Sequence, residues 1–116
     1  MARPIKSRII CSEPKITTFR PDDCEQLEFV YMSLEEFETI RLIDNNNLTQ
    51  EETANFMDIA RTTVQGIYDD ARKKIADAIV NGKVLKIEGG NYSLCAKMPL
   101  GKYCNRKNCK RFGNNI

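Results

Sequence analysis

The stretch TQEETANFMDIARTTVQGI, residues 49–67, decides the fold. Thr49-Gln-Glu-Glu52 is a capping box: the threonine hydroxyl accepts from the amide three residues on, and Glu52 reaches back to the cap amide. It opens a short helix that carries Ala54 and Met57. Apolar periodicity breaks at Asp58 and resumes at Val64, Ile67, Ala71, Ile75, Ala78 and Ile79, which share one face of a long helix. Two helices joined by so few residues need a small side chain where they cross and a turn position that tolerates positive φ. Ala54 supplies the first and Asp58 the second, aspartate being among the few residues besides glycine that enter the left-handed region. Met57, Ile59, Val64 and Ile67 then fix the crossing. This is a helix-turn-helix pattern; the competing reading is an ordinary helical hairpin in a bundle.

Working outward, Ser33-Leu-Glu-Glu36 is a second capping box, opening a helix of about three turns whose apolar stripe holds Leu34, Phe37, Ile40, Leu42 and Ile43. Asn45-Asn-Asn47 ends it, because asparagine side chains compete for backbone hydrogen bonds and tolerate the left-handed conformation. Residues 16–19 and 27–32, rich in β-branched and aromatic side chains and punctuated by Pro14 and Pro21, read as short strands. Asn81-Gly82 stops the long helix. Residues 84–88 and 91–94, around Gly89-Gly90, read as a small hairpin. With 116 residues there is room for one domain. Residues 1–32 form a basic arm with extended segments, 33–90 the helix-turn-helix domain and 91–116 a basic, cysteine-containing tail. The class is mainly α, with short β segments before the helices and the hairpin after them.

Of the side chains, 41% are apolar, 29% charged and 8% aromatic, and the mean hydropathy is −0.47. Such a chain buries an ordinary core. No apolar run approaches the ~20 residues that span a bilayer, and the basic start lacks the apolar stretch of a secretory signal. The expectation is a cytoplasmic protein with no membrane partner. The net charge of +2 conceals an uneven distribution. Residues 1–20 carry five basic groups against one acid, residues 21–90 seven against fifteen, and residues 91–116 six against none. Basic ends flanking an acidic middle suit a polyanion partner, or are simply solvated tails.

At ~100° per residue the long helix sorts into faces. Thr62, Gln65, Gly66, Asp69 and Lys73 lie opposite the apolar stripe, with Arg61 and Arg72 on one flank and Thr63 and Lys74 on the other. The outward first turn is thus polar, with a glycine that removes bulk. That suits a major groove, where arginine pairs with guanine, glutamine with adenine, and threonine methyls meet the thymine methyl. Arg61, Thr62, Thr63 and Gln65 are the candidate base-reading residues. Arg72, Lys73 and Lys74, ~15 Å farther along, are candidates for phosphate, as are Arg3, Lys6 and Arg8 in the arm. Asp69 and Asp70 oppose phosphate unless paired with the neighbouring cations.

Met1-Ala-Arg-Pro, Glu38-Thr-Ile-Arg-Leu-Ile-Asp44, Leu48-Thr-Gln-Glu-Glu52, Ala60-Arg-Thr-Thr-Val64, Ala71-Arg-Lys-Lys-Ile-Ala76 and Asn81-Gly-Lys-Val-Leu-Lys-Ile-Glu-Gly-Gly90 together resemble an uncharacterised prokaryotic family of predicted DNA-binding proteins. The helix-turn-helix of that family is similar to region 4 of bacterial sigma factors. The resemblance covers roughly residues 1–94 and implies a trihelical DNA-binding fold and a role in transcription. Carried over, it again points to Arg61, Thr62, Thr63 and Gln65. This chain departs from the pattern at Ala60, where relatives often cap with serine, and at Asp58, where they have glycine.

Five cysteines and no histidine remove the commonest general base, the usual nucleophile pairs and every histidine-containing zinc site. With no phosphate-cradling glycine loop either, an enzyme is not expected. An odd cysteine count argues against a disulfide framework. Cys95, Cys104 and Cys109, with Cys11 or Cys24, make a candidate four-sulfur set for zinc or an iron–sulfur cluster; redox-reactive thiols and a plain basic tail are the other readings. The primary expectation is a sequence-specific regulator that binds double-stranded DNA as a homodimer. The alternative is a metal- or redox-sensing module whose acidic middle docks on a protein such as RNA polymerase.

Overall fold

Both capping boxes form. Ser33 Oγ accepts from the Glu36 amide at 3.2 Å while Glu36 Oε1 accepts from the Ser33 amide at 2.9 Å. Thr49 and Glu52 repeat the exchange at 3.0 and 2.9 Å. The computed structural model describes residues 8–22 and 27–94. Three strands, β1 (Arg8–Ile10), β2 (Thr18–Phe19) and β3 (Phe29–Met32), precede the helices α1 (Leu34–Thr39), α2 (Gln50–Met57) and α3 (Arg61–Asn81). Two more, β4 (Val84–Ile87) and β5 (Tyr92–Leu94), follow them. Among these residues no helix is long and apolar enough to cross a membrane.

The first helix has the expected extent but not a uniform geometry. After Thr39 it widens into a π-helical turn over Ile40–Asn45, closed by the Asn46 amide donating to the Arg41 carbonyl five residues back, at 3.0 Å. Asn47 takes φ 65°, as its side-chain chemistry favours, and the Leu48 amide returns to the Leu42 carbonyl at 2.9 Å. Both leucines are thereby carried into the core, which also contains Ile10, Met32, Leu34, Phe56, Met57, Ala71 and Ile87.

Strands from the two ends of the chain pair across the helices. β4 lies between β2, antiparallel, and β3, parallel, with Val30 opposite Leu85 and Met32 opposite Ile87. β1 pairs in parallel with β5. The expected hairpin is therefore corrected. Gly89 and Gly90 do turn the chain, with φ of 74° and 111°, but both edges of β4 are already taken, so β5 finds its partner in β1. The turn docks on the start of α1: the Gly89 carbonyl accepts from the Leu34 amide at 2.9 Å, and a Cβ at Gly90 would collide with Glu35 and Ser33.

Candidate nucleic-acid interface

α2 ends at Asp58, whose left-handed backbone (φ 62°, ψ 46°) lets its amide and that of Ile59 return to the Ala54 carbonyl. Ala60 is extended at the start of α3 and offers no side-chain acceptor. The first amides of α3 thus lack a side-chain cap. Val64 and Met57 are fully buried and Ala54 nearly so, which locks α2 against α3 across a three-residue turn.

This packing sets what α3 presents. Arg61, Thr62, Gln65 and Gly66 are exposed, followed along the same side by Asp69 and Lys73. Gly66 has open space where a side chain would stand. Arg61 Nη1 donates to Gln50 Oε1 on α2 at 3.2 Å, so its guanidinium is held against the start of that helix. Thr63 is only half-exposed and lines a polar hollow of about 480 Å³ at the turn with Arg8, Asn55 and Asp58. Arg8 itself is mostly buried, with Nη1 3.8 Å from Glu35 Oε2 and with an Nε that is buried without a hydrogen-bond partner among the described residues.

The expected phosphate group divides. Lys73 is exposed on the outer face. Arg72 lies 5.4 Å over the Tyr68 ring and 3.9 Å from Asp44 Oδ2, and Tyr68 donates to Asp44 Oδ1 at 2.7 Å. That hydrogen bond is the main reason the Tyr68 hydroxyl holds its proton more tightly than usual. Lys74, on the flank, turns inward: its Nζ donates to both carboxylate oxygens of Glu36 at 2.8 and 3.0 Å, bracing α3 against α1. Arg3 and Lys6 lie outside the described residues, as do Cys24, Cys95, Cys104 and Cys109. Cys11 is half-buried, and its amide donates to Glu38 Oε2 at 3.0 Å. Among the described residues no three potential metal ligands cluster.

Sequence reading missed Gln50, Asn55 and Tyr68 as parts of this surface. Gln50 and Asn55 lie on α2, where the pattern signals the crossing and not what is carried to the rim. Tyr68 falls on a flank, and only the return of the π-helical turn brings Asp44 to it.

Residues 1–95 match the family described as "Protein of unknown function DUF134". The chain is 52% identical over 114 residues to the UPF0251 protein of Desulfitobacterium hafniense (strain DSM 10664 / DCB-2), spanning 96% of this chain and 89% of that one. It is 48% identical over 96 residues to UPF0251 protein TTE1845 of Caldanaerobacter subterraneus subsp. tengcongensis, spanning 81% of each. With the UPF0251 protein of Halothermothrix orenii identity is 42% over 116 residues, spanning 98% of this chain and 80% of that one. No solved structure matches.

Proposed function

The chain belongs to the DUF134 family, and we propose that it is a sequence-specific double-stranded DNA-binding protein that regulates transcription through a helix-turn-helix similar to sigma-factor region 4. The observation that carries this reading is the exposed polar turn of α3, where Arg61, Thr62, Gln65 and Gly66 project from a helix fixed by fully buried Val64 and Met57. A helix with polar side chains and a glycine on its leading edge suits entry into a major groove.

In this reading Arg61, Thr62 and Gln65 meet base edges, with Arg61 exchanging its bond to Gln50 for a guanine. Thr63 sits deeper, beside Arg8 and the uncapped amides of α3, a combination suited to a phosphate oxygen. Lys73 and Arg72 continue the backbone contacts, while Lys74 serves the fold. One recognition helix contacts few base pairs, so a homodimer on paired half-sites is the expected binding unit.

Selection of bound duplexes from a random library is the direct test. A consensus that disappears in the Arg61→Ala/Gln65→Ala double variant supports the reading. Equal affinity for selected and random duplex at physiological salt refutes sequence-specific recognition.

A further inference from the structure

A groove of about 530 Å³ opens between the sheet and the C-terminal half of α3, well within the ~300–1,000 Å³ of small-molecule sites. Met32, Phe37, Ile40, Ile75, Leu85 and Ile87 line it. Its lip is apolar too: Phe19, opposite Leu85 in the β2–β4 ladder, is 50% exposed and Ile79 is 74% exposed. The charged residues in the lining are Arg20 and Lys83, both cations, with no carboxylate among them. Lys83 is committed to Asp77 at 3.1 Å and Glu28 at 3.8 Å. Arg20 is exposed at the mouth and has no partner among the described residues.

We propose that this groove binds an amphipathic carboxylate, its apolar chain lying along Phe37, Ile75 and Leu85 and its head group meeting the Arg20 guanidinium. Charge complementarity selects the anion through Arg20, which is unpaired among the described residues, since Asp77 and Glu28 already neutralise Lys83. Concavity selects a small molecule over a second copy of the chain. A flat partner seated on the lip would cover the mouth and leave an apolar void behind it, forfeiting the contacts that filling would gain. The inference goes beyond the DNA reading and does not depend on it, since it needs only the hollow and Arg20. The occupant would nonetheless touch the same helix that presents Thr62 and Gln65.

The test titrates the full chain with decanoate, below its micellar concentration, and with decanol as the uncharged comparison, followed by calorimetry. The expected result is saturable binding of one decanoate per chain, with decanol weaker by about threefold to tenfold, the range an exposed to half-buried charged contact supplies. Arg20→Gln should bring decanoate down to the level of decanol. Ile79→Glu, a change at an exposed position that the fold tolerates, should weaken decanoate more than decanol by setting a like charge at the mouth. Any of four results overturns the proposal: no saturable decanoate binding, equal binding of decanoate and decanol, an Arg20→Gln variant that binds as the parent does, or a dimer in sedimentation that excludes decanoate.

Discussion

Glu38 has no solvent exposure, yet it is a carboxylate, and it persists inside because three donors converge on it. Arg41 supplies Nε and Nη2 at 2.8 and 2.9 Å, and the Cys11 amide supplies the third at 3.0 Å. Burial by itself would lower the Arg41 pKa, but its hydrogen bonds to Glu38 and the charge of that carboxylate leave it raised. Removing one member of such a pair strands the other, so Glu38→Ala should cost about 3–5 kcal/mol, measurable by urea denaturation. Ala60 offers the opposite case. Its backbone is already extended as an N-cap requires, so Ala60→Ser should stabilise the chain by about 1 kcal/mol, raising the urea midpoint without changing the slope. On DNA, Arg61→Ala should relax preference at one position by about 1–3 kcal/mol, whereas Lys73→Ala should weaken all sequences alike, a difference that competition binding with single-base variants resolves. The left-handed Asp58 was legible from residue type alone, since so short a turn needs a positive φ. The burial of Glu38 was not: a glutamate with arginine three residues later looks the same on a solvated helix as inside a core.

At the scale of elements, local chemistry was readable and distant pairing was not. Serine or threonine with glutamate three residues later fixed both helix starts, and Asn81-Gly82 fixed the end of α3, where Gly82 takes φ 65°. Strands of two to four residues carry little information about their partners, so the parallel ladders β3–β4 and β1–β5 had no signal beyond β-branched and aromatic content. The exposed polar turn of the candidate site could be read because helical periodicity alone sorts a long helix into faces, but Lys74 could not be assigned to Glu36 without knowing how α1 crosses α3. Beyond the end of α3, Asn81 Nδ2 and Lys83 Nζ both donate to the Asp77 carboxylate, at 2.6 and 3.1 Å. These bonds lower the Asp77 pKa, the one from Asn81 most, and the bond to Asp77 raises that of Lys83. A depressed carboxylate stabilises the fold above its unfolded pKa and loses that contribution as pH falls through the folded value; a raised ammonium stabilises below its unfolded pKa and loses it as pH rises through the folded value. This clamp should therefore weaken at both extremes. The raised Tyr68 and Tyr92 hydroxyls, hydrogen-bonded to Asp44 and Glu13, add to the alkaline loss. Melting temperature against pH should fall below about pH 4 and above about pH 10, with Asp77→Asn flattening the acid limb and Tyr68→Phe the alkaline one.

Over the whole molecule the net charge of +2 is a cancellation between unlike regions. The acidic middle spends part of its charge internally, on Arg41 and Lys74, which leaves fewer cations to its proposed DNA face. Affinity that ignores sequence should then come from the ends. Deleting residues 95–116 should lower the salt slope of DNA binding by about 0.9 for each phosphate that the tail neutralises while leaving the selected consensus unchanged, which filter binding across a salt series measures. The pairing of strands across the helices has a further consequence, in the order of synthesis. The ribosome completes α1, α2 and α3 while β1 and β3 still lack the partners that flank them, because β4 and β5 follow the helices in the chain. Ladders between such distant segments form late, after their long loop is closed. The growing chain leaves the side of its core that Ile87 completes uncovered until β4 clears the exit tunnel, a state prone to association and suited to chaperone binding. An arrest-peptide force profile should accordingly rise most steeply once β4 emerges.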